Sequence, residues 1–150
     1  MRHFLVALDG SDYAWRALDE AIAYGKAINA EILVLHVVPL EDIPEEIQEF
    51  ARIENVAPGD VGFAWRKKIM LEDKIKNEAA NRLKNAGVKS FKTLVHEGDP
   101  AERILAAAGE LNIDMIFVGD RGLGALHHLV IGSVAHKIVN LSKCTCVIVR

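Results

Sequence analysis

The sequence predicts one α/β domain spanning residues 1–150: an open, parallel, five-stranded sheet in the order 3-2-1-4-5, with helices on both faces. Three observations carry this expectation. Five apolar runs have strand length: His3–Asp9, Glu31–Val38, Phe91–Glu97, Asp114–Gly119 and Cys144–Arg150. The first, second, fourth and fifth are nearly continuous Val, Ile, Leu, Phe or Met, the composition of strands covered on both sides. Helical periodicity fills the gaps, and the resulting βαβαβαβαβ order calls for parallel pairing with right-handed crossovers.

Each element has a local reason. The first run ends in Asp9-Gly10-Ser11, turn chemistry that opens a helix. Asp12 to Ile28 then places Ala14, Leu18, Ala21, Gly25 and Ile28 on one face, with Ser11 or Asp12 as its cap. After the second run comes an irregular stretch from Pro39 to about Gly62. It holds Pro39, Pro44 and Pro58 and the acidic group Glu41, Asp42, Glu45, Glu46 and Glu49. That is longer than an ordinary βα loop. It reads as a short solvated helix from Pro44 to Arg52 with a loop after it, or else as a lid or interaction segment. Trp65, just beyond, reads as helix packing. Ile75, Ala79, Leu83 and Ala86 repeat at helical spacing, and Gly87 stops that helix. After the third run, Gly98-Asp99-Pro100 is a tight, structural entry into a helix with Ile104, Leu105, Ala108 and Leu111 inward. The fourth run leads through glycines to a last helix with Val134, Ile138 and Leu141, and the fifth run closes the chain.

Composition excludes several function classes. A formal net charge of −3 argues against nucleic acid or an anionic membrane as the main partner. The basic cluster Arg66-Lys67-Lys68 is short and followed by Glu72 and Asp73, as on a solvated helix face. The N-terminal stretch Phe4–Leu8 is too short for a signal peptide or a membrane span. Cys144 and Cys146 sit at strand spacing, which suits small buried side chains better than a disulfide or a zinc site. A soluble, cytoplasmic protein is expected.

In open α/β sheets, ligands bind beyond the carboxyl ends of the strands, where the strand order reverses. In this order that crevice lies between the first and fourth strands, whose exits are Asp9-Gly10-Ser11 and Gly119-Asp120-Arg121-Gly122. Glycine after a buried strand lets the backbone turn and approach a ligand closely. Gly132-Ser133 then opens a helix, where unpaired N–H groups and the positive dipole end attract an anion. Strand, glycine loop and serine-headed helix together form a phosphate-binding constellation. Asp9 can accept hydrogen bonds from a sugar hydroxyl or a base amino group while also serving the turn. The P-loop, the dinucleotide fingerprint and a G-x-S-x-G nucleophile are all missing.

These residues resemble the universal stress protein family. The spacing G-x2-G-x9-G-[ST] is met by Gly119, Gly122 and Gly132-Ser133, with Leu123 to Ile131 between the last two glycines. The flanks are similar as well: Val6-Ala7-Leu8-Asp9-Gly10-Ser11, Leu35-His36-Val37-Val38, Glu97-Gly98-Asp99-Pro100 and the tail Lys143 to Val149. The resemblance implies a Rossmann-like fold of the adenine nucleotide alpha hydrolase type and the family's ATP-binding branch. It puts Asp9 at the adenosine end, the backbone of Val37 beside the adenine ring and Gly119 facing the ribose. Gly122, Gly132, Ser133 and the backbone of Val134 would hold the phosphates. It further implies at most slow ATP hydrolysis, a homodimer formed through the closing strand Cys144 to Arg150, and a stress or signalling role with a partner protein.

One position departs from the family's common pattern, in which a small polar residue stands where this chain has Asp120. A carboxylate beside a triphosphate is repulsive unless it points away or a metal bridges the two. ATP binding is therefore expected to depend on Mg2+ or Mn2+. Arg121 is a candidate to offset phosphate charge, an exposed surface arginine being the alternative. Adjacent His127 and His128 do not present both rings to one ion on a helix, so no protein-held metal site and no catalytic residue are assigned. His36 and His136 read as packing or surface residues. The rival to an ATP-binding module is a dimeric interaction protein of the same fold that binds no nucleotide.

Overall fold

The computed structural model describes residues 1–39, 71–122 and 131–150, together with Glu45, Glu49, Arg52, Ile53 and Asn55. Strands β1 (His3–Ala7), β2 (Glu31–Val38), β3 (Phe91–Glu97), β4 (Met115–Gly119) and β5 (Thr145–Val149) alternate with helices α1 (Asp12–Ile28), α2 (Leu71–Asn85), α3 (Pro100–Glu110) and α4 (Ser133–Leu141). The strands form one sheet in the order β3-β2-β1-β4-β5, every neighbouring pair parallel. The expected architecture holds.

Period-two alternation divides the core into two layers. Phe4, Val6, Leu8, Ile32, Val34 and Phe117 point to the layer shared with α1 and α2. Leu5, Ala7, Leu33, Leu35, Ile116 and Val118 point to the layer shared with α3 and α4. Helix α1 fits because Ala14, Ala17, Ala21 and Gly25 keep its inner face small, with Leu18 and Ile22 filling the space between. A Cβ on Gly25 would stand 2.9 Å from Ile32 Cδ1, so this helix rides unusually close to β2.

The structure corrects some expected details. β1 ends at Ala7, not Asp9, and β5 covers Thr145–Val149 only. Ile28, Leu111 and Leu141, expected inward, are 55%, 44% and 64% exposed. Each stands at a helix's last residue or just past it, where the apolar stripe has outrun the sheet. Ala17, Ile22 and Ala107 are the inward residues that the spacing missed. β5, expected to be covered on both faces, is mostly half-buried because it is an edge strand.

Local signals account for the helix boundaries. Ser11 caps α1, its side chain accepting from the Ala14 N–H, and Asn29 closes it in a left-handed conformation. Asp99 caps α3 with Pro100 in the first turn. Gly87, at φ +76°, carries the chain out of α2. Within the Pro39–Gly62 stretch, Glu45, Glu49, Arg52 and Ile53 are helical and exposed, in keeping with a solvated helix; its remaining residues beyond Pro39 and Asn55 lie outside the described ones.

Candidate functional site

The strand order reverses between β1 and β4, and the two loops leaving these strands are tied directly to each other. Gly10 takes φ +90°, which turns the chain sharply after Asp9. Asp9 Oδ1 then accepts the Ser11 N–H at 2.9 Å. The Ser11 hydroxyl caps α1 through Ala14 at 3.2 Å and donates to the Arg121 carbonyl at 3.4 Å. One buried serine thus starts α1 and holds the glycine loop.

The three signature glycines have distinct reasons. A Cβ on Gly119 would lie 2.8 Å from the Tyr13 backbone and 2.9 Å from Ala14 N. Gly119 therefore admits the first turn of α1, a packing reason for this glycine that the sequence did not supply. A Cβ on Gly132 would meet the Asp120 carbonyl at 2.9 Å, where the Gly132 N–H donates to that carbonyl at 2.7 Å. A Cβ on exposed Gly122 would meet only the tip of the Asp9 side chain, Oδ2 at 2.7 Å. Gly122 and Asp9 thus share the mouth of the crevice.

Asp120 and Arg121 differ from their expected placement. Asp120 is 2% exposed, and its Oδ2 lies 3.2 Å from Arg150 Nε and 3.9 Å from Arg121 Nε. The carboxylate is buried and flanked by two guanidinium groups rather than standing bare before the crevice. Arg121 is not the exposed surface residue of the alternative reading: its side chain is 12% exposed and stacks over Tyr13 at 5.7 Å. Arg150 was missed by the sequence reading. The signal was available in the strand alignment, because Gly119 pairs with Val149 and the next residues leave side by side.

At the other side of the crevice, β2 outruns β1. The Leu8 N–H still bonds the Leu35 carbonyl at 3.0 Å, whereas the Gly98 N–H bonds Val38 on the β3 side at 3.1 Å. Alternation therefore turns the peptide groups of Val37 to the same side as those of Leu35, above the end of β1. His36 Nδ1 lies 2.6 Å from the Leu8 carbonyl, which steadies the chain where it leaves the sheet. Gly132 has no side chain with which to cap α4, and the helix opens with exposed Ser133 and half-buried Val134; the first amides of a helix have no partner within it. Asp9, Val37, Gly122, Gly132, Ser133 and Val134 all lie at the carboxyl ends of the strands.

Supporting groups surround this frame. Asp99 accepts the Glu102 N–H and lies 3.4 Å from Lys137 Nζ, which joins the start of α3 to α4. The Glu102 N–H, followed by the Lys137 charge, holds the Asp99 carboxyl below its ordinary range. Cys144 and Cys146 are free, and burial pushes the Cys146 thiol up. Among the described residues no group of three or more His, Cys, Asp or Glu is placed to hold a metal. His127, His128, Trp65 and Arg66-Lys67-Lys68 lie outside the described residues. No described helix is long and apolar enough to cross a membrane.

Chemically, the frame offers a backbone edge suited to a base, a carboxylate suited to hydroxyls and a helix start suited to phosphate. The model of the universal stress protein family matches residues 1–150. This chain belongs to that family. It is 34% identical to the universal stress protein YxiE of Bacillus subtilis, over 97% of both chains. The fold is shared with a universal stress protein in complex with cAMP, at TM-score 0.70 and 24% identity over 99% of this chain and 96% of that one. It is also shared with a family member from Arabidopsis thaliana with AMP bound, at TM-score 0.64 and 19% identity over 99% of this chain and 91% of that one.

Proposed function

We propose that this universal stress protein binds an adenine nucleotide in the β1–β4 crevice, with ATP as its working ligand, and acts as a cytoplasmic stress or signalling module. The observation that carries the reading is the convergence of Val37, Asp9 and the α4 start on one crevice, since these present base, ribose and phosphate partners in spatial order. The adenine edge meets the Val37 peptide groups, the hydroxyls meet Asp9, and the phosphates meet Gly122, Gly132, Ser133 and Val134. The relatives named with cAMP and AMP support an adenine nucleotide. Mg2+ or Mn2+ would arrive with the triphosphate and be held by its oxygens. Turnover is at most slow, as the resemblance to the family implies. The half-buried edge strand β5 supports a homodimer, since an uncovered apolar edge invites pairing. The signalling output passes to a partner protein through a surface altered by the bound nucleotide.

The test is a calorimetric titration of ATP and AMP into nucleotide-stripped protein, with Mg2+ and with chelator. A Kd below about 1 mM, roughly −4 kcal/mol, supports the reading. No heat with any nucleotide overturns it. A second reading has one specific observation in its favour: Gly119 and Gly132 are both required by contacts inside the protein, so their presence does not demand a ligand. Under that reading the chain is a dimeric interaction protein, and light scattering finds the dimer while calorimetry finds no nucleotide.

A further inference from the structure

Asp120 joins three elements at the phosphate end of the crevice. Its N–H donates to the Val149 carbonyl at 2.7 Å, and its own carbonyl accepts from Gly132 at 2.7 Å. The β4 exit, the β5 exit and the α4 start therefore move as one piece. Its carboxylate is buried, and Oδ1 has no hydrogen-bond partner. A buried carboxylate with an empty acceptor costs stability, and such a group calls for an explanation beyond packing.

The explanation lies in what the carboxylate holds. Arg150 Nε sits 3.2 Å from Asp120 Oδ2, while the Arg150 side chain remains 78% exposed. A guanidinium carries five N–H donors in a rigid fork, and the Arg150 atom paired with the Asp120 carboxylate is Nε. The rest of the fork belongs to an exposed side chain anchored on Asp120, whose own carbonyl accepts the N–H of Gly132 at the residue before α4. With Arg121 also near the carboxylate, two guanidinium groups flank Asp120 at this end of the crevice. Arginine is suited to this because its fork grips two phosphate oxygens at once.

We propose that Arg150 is a phosphate-binding residue for the outer phosphates of a nucleoside di- or triphosphate, with Asp120 as the residue that positions it. This rests on the nucleotide reading above and adds a ligand class to it. The α4 amides take the phosphate nearest the ribose, and Arg150 takes those beyond. The site therefore prefers ATP and ADP to AMP.

The experiment measures Kd for AMP, ADP and ATP on the full chain and on Arg150→Gln and Arg150→Lys variants. Urea denaturation confirms that these exposed substitutions leave the fold intact. Arg150→Gln is expected to weaken ATP about tenfold and AMP less than twofold, with Arg150→Lys between wild type and Gln for ATP. An unchanged ATP-to-AMP ratio in Arg150→Gln overturns the proposal and leaves the nucleotide reading standing. A wild-type chain that binds none of the three overturns both. A uniform loss for all three nucleotides also overturns it, since that outcome assigns Arg150 to the structure of the loop alone.

Discussion

The two ends of the β1–β4 pair are each secured around an aspartate, and they differ in what the aspartate receives. At the amino end, Asp114 Oδ2 accepts the His3 N–H at 2.8 Å, Oδ1 accepts from the Arg2 guanidinium, and the Asp114 N–H returns to the His3 carbonyl at 2.9 Å. Both carboxylate oxygens are used and the group is open to water. A cavity of about 210 Å3 beside it, lined by Phe4, Ile28, Met115 and Thr145 among others, lies on the far side of the sheet from the crevice. At the carboxyl end, Asp120 is buried and one oxygen has no partner. The first arrangement is a tie that completes its own hydrogen bonds. The second is completed only in part and leaves an arginine fork and helix amides exposed. A buried carboxylate with one oxygen unpartnered is the less common of the two arrangements and the one that calls for an explanation.

The sharpest way to break this contrast is at Gly119. Gly119→Val would drive a side chain into the α1 backbone and should cost about 3 kcal/mol or leave the protein insoluble, as urea unfolding would register. A stability loss under about 1 kcal/mol would mean that α1 yields easily and the close approach is not required. Ser11→Ala comes next. It removes the α1 cap and the link to Arg121, so about 1–2 kcal/mol should be lost in the same assay, together with nucleotide affinity. Full affinity in that variant would separate the capping role from the site.

Gly122→Val tests the ligand-binding end with little cost to folding. Its added side chain meets the flexible tip of Asp9, so stability should change by less than about 1 kcal/mol while ATP affinity falls at least tenfold. The same substitution at Gly132 is a poorer test, because there the neighbour is backbone. The smallest effect is expected at the amino end. The His3 N–H, then Arg2, lowers the Asp114 pKa in the folded state. Its stabilisation is present above the unfolded value of about 3.9 and is lost as pH falls through the lowered folded value. Asp114→Asn should therefore flatten the acid limb of stability below about pH 4 and leave nucleotide affinity unchanged. An affinity change would show that the two ends are coupled.

Much of this was legible before folding was considered. The Asp9-Gly10-Ser11 turn, the Ser11 cap and the helix entry at Gly98-Asp99-Pro100 are local statements, and the structure places them as read. The packing role of Gly119 was not legible, because the α1 backbone that approaches it lies far away in sequence. The burial of Arg121 was not legible for the same cause, since Tyr13 and Asp120 shelter it only after β1 and β4 pair. Ile28, Leu111 and Leu141 kept the helical period but not the burial, because periodicity does not say where a sheet stops.

By itself the sequence determined the strand and helix order, the parallel sheet and the family, since apolar periodicity, caps and glycine spacing act over a few residues each. Tertiary structure alone decided that Val37 faces the space above β1, that Asp120 is buried, and that Arg150 reaches it. Those depend on which strands end first and which exits lie side by side, and pairing between distant segments sets both.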